Sequence, residues 1–226
     1  MNDVARSAVL RQVHGMVGMP VHAPDGAVGR VHDIYFDDRD WHVRYFHVDT
    51  RPWLIGRHVL LAPTVVRFVD WESDRIDVTI TREQVEQSPD VDSHKPVSRQ
   101  HELVMYEYFA WPFASSSALW EGEELAARLH SLMIEMHAQD MTAPSPPPPE
   151  NADAHLWSVD AVHHYTVEND NGKLGRVADF MVLPDTWTLR YLVAEKGGPL
   201  HANRFLVPVD AVHGISGDTR QVRVSV

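Results

Sequence analysis

The chain has 226 residues, of which 44% are hydrophobic and 23% are charged, and its formal net charge is -12 at pH 7. This length and composition predict a globular protein with a packed core. Acidic residues outnumber basic ones in every part of the chain, which disfavours nucleic acids and anionic membranes as partners, because both are bound through basic patches.

The chain contains no cysteine, which excludes disulfides and thiolate metal sites. No apolar run reaches the length of a signal peptide or of a membrane-spanning helix. We therefore expect a cytoplasmic protein without a membrane span.

One segment of the sequence occurs twice, with an offset of 146 residues. Gly26 to Asp33 reads G-A-V-G-R-V-H-D, and Gly172 to Asp179 reads G-K-L-G-R-V-A-D. At the same offset, W-H-V-R-Y at Trp41 returns as W-T-L-R-Y at Trp187. This self-similarity predicts two copies of one structural unit.

Each copy consists of short apolar runs separated by turn residues, which is typical of a small antiparallel β-barrel. In the first copy the predicted strands cover residues 16–23, 28–36, 41–49, 59–62, 65–69 and 75–81. In the second copy they cover residues 165–167, 173–183, 186–195, 204–207, 211–215 and 221–226, after a short helix or strand at 157–162. Val31 and Ile34 break the period of two, as do Val177 and Phe180, so we predict a β-bulge near Asp33 and another near Asp179.

The region between the copies predicts helices and an extended spacer. Leu125, Leu129, Leu132, Met133 and Met136 form an amphipathic stripe, and four prolines from Pro146 to Pro149 indicate a linker. We therefore divide the chain into a first barrel at residues 1–95, a helical and aromatic insert at 96–141, a proline-rich linker at 142–152 and a second barrel at 153–226.

The order of these motifs resembles the PRC-barrel family. The tail of the first copy, with S-P-D-V-D at Ser88 and Y-F-A-W-P-F at Tyr108, is similar to that of bacterial proteins with two PRC-barrels in tandem. The resemblance implies a mainly β fold of two six-stranded barrels. The barrel is also that of the photosynthetic reaction centre H subunit's cytoplasmic domain and of a ribosome maturation factor's C-terminal domain, where it binds or scaffolds proteins. The family has no catalytic motif, so the resemblance implies neither an active site nor a cofactor.

Eight residues of the repeat are expected to have structural roles: Gly26, Gly29, Asp33 and Arg44, with Gly172, Gly175, Asp179 and Arg190. We predict that Asp33 pairs with Arg44, and Asp179 with Arg190, as ion pairs that stabilise each barrel at its bend. A ligand-binding pair is the alternative interpretation. The glycines do not form a nucleotide loop, because they lie in a hairpin with no helix after it.

The fifteen histidines include no pair at H-x-x-x-H spacing, so we expect surface histidines and no metal site. No nucleophile elbow is present, and the paired carboxylates lie on turns or on a solvated helix face. We therefore expect that the protein is not an enzyme.

Two aromatic segments have the composition of protein interfaces. They contain Arg51, Trp53 and Leu54 in a loop of the first copy, and Tyr108 and Trp111 in the insert. The same side chains could instead seal the groove between the barrels. We expect a scaffold or adaptor for a protein partner, with the barrels packed as a pseudo-twofold pair and a homodimer also open. The alternatives are a ligand- or proton-handling module of an electron-transfer complex and a role in ribosome maturation.

Overall fold

The computed structural model describes residues 9–51, 58–88, 155–197 and 202–226. Residues 9–88 are called the N-half below, and residues 155–226 the C-half. The whole predicted insert and the whole predicted linker lie outside the described residues. Within the described residues the protein is mainly β, with one sheet of 14 strands and a few short helices.

The strands follow one another along the chain in the same sequence in both halves, while α1 has no counterpart in the C-half. The N-half contains β1 (Arg11–Gln12), β2 (Pro20–Ala23), β3 (Gly26–Asp37), β4 (His42–Asp49), β5 (His58–Leu61), β6 (Val66–Asp70), β7 (Arg75–Val78) and α1 (Arg82–Gln87). The C-half contains β8 (Leu156–Ser158), α2 (Val159–Val162), β9 (Thr166–Asn169), β10 (Gly172–Leu183), β11 (Thr188–Lys196), β12 (Asn203–Pro208), β13 (Val212–Ser216) and β14 (Gln221–Val224). Short 3-10 helices cover His14–Met16, Pro63–Val65 and Val209–Ala211. Apart from β1, which was not predicted, these strands lie close to the predicted ones.

The strand order is also the same in both halves. It is β6-β7-β2-β3-β4-β5 in the N-half and β13-β14-β9-β10-β11-β12 in the C-half, and β4 and β11 join the two. The sheet is not closed, in contrast to the predicted barrels, since among the described residues no ladder joins the end strands β5 and β6. Pro63, which lacks a backbone N–H, begins a 3-10 turn after β5 instead of continuing its ladder.

The predicted bulges are present in the two long strands. In the N-half, Val31 pairs with Val48 but Asp33 pairs with His47, so one residue of β3 has no partner on β4. The register of β10 against β11 shifts at the corresponding place, between Val177 and Asp179. The extra residue brings both apolar side chains of each strand to the core, where all four are at most 2% exposed.

Two glycines of the repeat allow neighbouring strands to come very close. A Cβ atom on Gly29 would lie 2.1 Å from the carbonyl oxygen of Asp49, and one on Gly175 would lie 2.5 Å from that of Glu195. Gly26, at the predicted turn, has φ of +143°, a value that side chains disfavour. The G-x-x-G spacing of the repeat is therefore a requirement of the backbone.

The hydrophobic core is continuous across the two halves. Phe36 of the N-half and Phe180 of the C-half are both fully buried, and their ring centres are 4.9 Å apart. The ring of Phe46 contacts Trp187 edge to face at 5.0 Å. Because each half completes the other's core, the relative position of the halves is fixed by packing.

Candidate interaction surface

The two halves exchange their leading strands. β1 pairs with β10 of the C-half, where Gln12 faces Met181. β8 pairs with β3 of the N-half, where Ser158 faces Tyr35. Ser158 lies 146 positions after Gln12, and Met181 lies 146 positions after Tyr35. The two strand pairs are therefore equivalent, and each half supplies the leading strand of one of them. This reciprocity is the property of a twofold interface between two similar units.

Two buried aspartates accept hydrogen bonds from the exchanged segments. Asp33 accepts hydrogen bonds from the backbone N–H of Ile34 (2.7 Å), the N–H of Asp160 (3.2 Å) and the hydroxyl of Ser158. Asp179 accepts the matching bonds from the N–H of Phe180 (2.7 Å) and of His14 (2.9 Å). Burial raises the pKa of both carboxyls, although these hydrogen bonds act in the opposite direction.

The halves also meet at the centre of the sheet. The N–H of Val43 donates to the carbonyl of Trp187 at 2.9 Å, and the N–H of Leu189 donates to that of Trp41 at 2.7 Å. Both tryptophans have positive φ, 58° and 57°, which places them in matching turns. These reciprocal bonds join the two six-stranded portions into one sheet.

The two ends of the junction between the halves differ. At one end lies an open groove of about 480 Å³, whose lining includes Val9, Arg11, Phe68, Trp71 and Trp187. The guanidinium carbon of Arg11 stands 4.9 Å from the ring centre of Trp71, a cation–π contact. Both halves line this groove, which we call the junction groove.

The opposite end of the junction is filled. At this end Trp157 occupies the position equivalent to Arg11, and Gly217 occupies the position equivalent to Trp71. The indole of Trp157 packs against Gly217, because a Cβ atom on this glycine would lie 3.7 Å from the ring. The indole N–H donates to Asp38 at 2.9 Å, and His155 contacts the same carboxylate at 2.8 Å. The junction groove is therefore a departure from the symmetry of the two halves.

Strand β6 adds to the junction groove a backbone edge that no other described strand covers. It ends the strand order, and among the described residues it pairs only with β7. Phe68 on this strand is 57% exposed, while Gly214 takes its place in the C-half. A large exposed aromatic beside an unpaired strand edge has the chemistry of a surface that accepts an extended peptide.

The predicted ion pair between Asp33 and Arg44 is wrong. Arg44 instead forms ion pairs with Asp40 at 2.6 Å and Asp37 at 3.3 Å. The register explains the error, because Asp33 lies opposite His47, three residues from Arg44 and about 10 Å along the strand. The same register holds in the C-half, where Asp179 lies opposite Val193, three residues from Arg190. At both bends, the aspartate bonds the exchanged segment of the other half.

Among the predicted partner-binding residues, the structure describes Arg51. Its side chain is 66% exposed, and its guanidinium donates to Asp49 through two nitrogens, at 2.5 and 2.8 Å. Hydrogen bonds from Arg51 lower the pKa of Asp49 to about 2. The other four predicted residues lie outside the described residues: Trp53, Leu54, Tyr108 and Trp111.

Three histidines of the N-half stand together on neighbouring strands: His32 on β3, His47 on β4 and His58 on β5. We call them the histidine cluster. Their ring centres are 5.0 Å apart for His32 and His47, 4.8 Å for His47 and His58, and 5.7 Å for His32 and His58. His47 is 3% exposed, and burial, followed by its two histidine neighbours, lowers its pKa to about 4. Within the described part of the chain, no three histidine or carboxylate groups are positioned as they stand to hold a metal ion.

A PRC-barrel domain is found at residues 11–85, where the chain matches that family. The match runs from the first residue of β1 into α1 and includes the whole sheet of the N-half. No curated protein matches the chain. Among the described residues, none of the helices is long and apolar enough to cross a lipid bilayer.

Sequence reasoning missed both the junction groove and the histidine cluster. The groove is assembled from residues far apart in the chain, and the cluster from residues on three strands. The spacing of histidines along the sequence indicates only contacts within one helix or strand. A usable signal was nevertheless present in the repeat. Phe68, Trp71 and the three histidines all occupy positions where the second copy has a different kind of residue.

Proposed function

We propose that this protein is a non-enzymatic scaffold or adaptor that binds another protein through surfaces and loops of its PRC-barrel units. We infer further that the C-half is a second unit of the same kind, so that each half corresponds to one six-stranded unit of a tandem pair. The shared strand order and the matching contacts at an offset of 146 residues support this inference.

The observation that carries the proposal is the junction groove. It combines an exposed phenylalanine with two tryptophans and two arginines, and tryptophan and arginine are among the residue types that dominate the energy of protein interfaces. It is formed only where both halves are present, and the equivalent space at the other end is filled by Trp157. A fold that needs only to pack its two halves together would not require this difference.

The occupant we propose is an extended segment of a partner protein that pairs with β6. Backbone hydrogen bonds to the free edge would supply affinity, and an apolar side chain would lie against Phe68. Arg11 and Arg67 line the groove against one acidic residue, Asp185, although the whole chain carries a net charge of -12. The local positive charge favours a segment that carries acidic residues.

The test is site-specific photo-crosslinking in the cells that produce the protein. A benzophenone amino acid replaces Phe68, and a matched control replaces Leu206, which is 53% exposed on the end strand β12 of the C-half. We expect a covalent product with a second protein from position 68 that is absent from position 206. Equal products, or none at position 68, would refute the proposal, and a product containing only this chain would assign the groove to self-association.

A second candidate function is a proton-handling module of an electron-transfer complex, as in the reaction centre H subunit. It is favoured by the buried carboxyls of Asp33 and Asp179, whose pKa values are raised, and by the buried imidazole of His47. A thermal-shift screen with quinones separates the two candidates, because a ligand that binds only the folded chain raises its unfolding temperature. The absence of any shift would remove this candidate.

A further inference from the structure

The hairpin turn between β9 and β10 contains an asparagine followed by a glycine. Asp170 and Asn171 form the connection between the strands, and Gly172 begins β10 with a φ of +116°, which other residues disfavour. No other asparagine of the chain precedes a glycine. Asparagine is a chemically labile residue, and a following glycine makes its side-chain amide most prone to spontaneous loss.

This loss is a reaction between neighbouring groups of the chain. The backbone nitrogen of Gly172 attacks the Cγ of Asn171 and loses its proton, a five-membered succinimide ring closes, and the side-chain nitrogen leaves as ammonia. Water then opens the ring at either carbonyl, which gives aspartate or isoaspartate. Because the reacting groups are tethered next to each other, ring closure needs no second molecule.

The structure leaves the reacting groups accessible. Asn171 and Gly172 are both exposed, and a Cβ atom on Gly172 would meet no atom of the described residues within 4 Å. The backbone N–H of Asn171 donates to Asn169 at 2.9 Å, but within the described part of the chain its side-chain amide is unpaired. Ring closure requires a brief opening of the turn, and exposed loop tips are among the most mobile parts of a fold. The open space lets the Cγ of Asn171 approach the nitrogen of Gly172.

The other asparagine of this hairpin is held in place. The amide nitrogen of Asn169 donates to the carbonyl of Val226, and its amide oxygen accepts the N–H of Asn171. The next residue is Asp170, whose side chain crowds the backbone nitrogen that would have to attack. Asn171 therefore differs from Asn169 both in its unpaired amide and in its glycine neighbour.

The equivalent turn of the N-half is tied to a helix. Asp25 and Gly26 occupy the positions of Asn171 and Gly172. Both carboxylate oxygens of Asp25 accept the backbone N–H of Arg82, at 2.9 and 3.1 Å, and a Cβ atom on Gly26 would lie 3.3 Å from the Arg82 side chain. Arg82 begins α1, which has no counterpart among the elements of the C-half. The turn of the C-half therefore lacks this restraint.

We propose that Asn171 is a site of spontaneous covalent modification in the folded protein, where it is converted through a succinimide to isoaspartate and aspartate. Isoaspartate routes the backbone through the former side chain and so lengthens the connection that Gly172 and Asn169 close. Because loop length sets the register of a hairpin, the isoaspartate form should weaken the pairing of β9 with β10 and β14. Both products also add a negative charge to the turn. The site is independent of the junction groove.

The test is incubation of the full-length folded chain at pH 8 and at pH 6. A protein-isoaspartate methyltransferase with labelled S-adenosylmethionine marks isoaspartate, and peptide mapping by mass spectrometry locates it. We expect label at position 171 that accumulates with time and forms at least about 10-fold faster at pH 8, because the attacking nitrogen must lose its proton. Asn203, which is exposed and followed by Arg204, should stay unlabelled. Absence of label at position 171 in the folded chain, or equal label at position 203, would overturn the proposal.

Two variants separate the modification from its effect on the hairpin. Asn171→Gln keeps the amide but would have to close a six-membered ring, so it should acquire no label at this position, and label equal to that of the wild type would refute the assignment. Asn171→Asp carries the new charge on a normal backbone. The isoaspartate form, isolated by chromatography, should unfold at a lower temperature than this variant, and equal unfolding temperatures would refute the effect on the hairpin.

Discussion

Replacing Gly29 by alanine tests the close contact between β3 and β4. The added Cβ would lie 2.1 Å from the Asp49 carbonyl oxygen, about 1 Å inside the normal contact distance, and a backbone atom cannot rotate away. Overpacking of this kind costs about 1–3 kcal/mol, and a ladder hydrogen bond lost as the strands separate costs about 1 kcal/mol more. Alanine recovers about 0.4–1 kcal/mol by restricting the unfolded chain. We therefore expect a net loss of about 2–3 kcal/mol in the free energy of unfolding.

Urea unfolding followed by circular dichroism measures this change. The first comparison is Gly175→Ala, where the contact distance of 2.5 Å predicts a smaller loss than at Gly29. The second is Gly214→Ala on β13, where a Cβ meets no atom within 4 Å and stability should stay within about 0.5 kcal/mol. Equal stability of the Gly29 and Gly214 variants would refute the argument that the repeat needs glycine for strand contact.

Three further predictions concern buried polar groups. Asp33→Ala should lower the free energy of unfolding by about 2 kcal/mol, because it leaves the buried N–H of Ile34 and the partly buried N–H of Asp160 unpaired; urea denaturation measures this, and unchanged stability would contradict it. Arg44→Ala should cost about 1–3 kcal/mol, because it removes a cation beside the buried carboxylate of Asp37, which is 4% exposed; thermal unfolding at low and high salt checks the charge contribution. The pKa of about 4 for His47 predicts that the contribution of this residue to the free energy of unfolding falls by about 3 kcal/mol as the pH falls from 7 to 4, since the unfolded imidazole takes up a proton near its ordinary pKa of 6.5 and the folded one only near pH 4. His47→Val, which copies Val193, should flatten this dependence, and superimposable pH curves would contradict it.

The strands and bulges could be predicted because their signals are local. Alternating apolar residues and turn residues lie within a few positions of each other, and the break between Val31 and Ile34 was visible in both copies. Closure of each unit into a barrel is a different kind of inference, since it depends on whether β5 and β6 meet in space. Neither strand pattern contains information about that pairing.

The partners of Asp33 could not be predicted from the repeat. The equal separation of the aspartate and the arginine in both copies suggested a contact within one unit, but Asp33 has no bond to Arg44 and instead accepts hydrogen bonds from Ser158 and Asp160 of the other half. β1 was missed for the same reason, because it is two residues long and has its partner on β10. Contacts between repeated units conserve the same spacing as contacts within them, so spacing alone cannot distinguish the two.

The exchange of leading strands means that each half alone would lack one strand that the other half supplies. Two copies of a single unit whose first strand fits the other copy would form a dimer through the same exchanged strands. Joining their two genes end to end would then add a covalent connection between the units and leave these strand contacts in place. The reverse also holds: a fragment comprising only residues 9–88 would retain β1 and the uncovered edge of β3, and should recover its missing neighbour from a second fragment. In such a dimer the two ends of the junction would be identical, whereas in this chain they differ at Phe68 and Trp71.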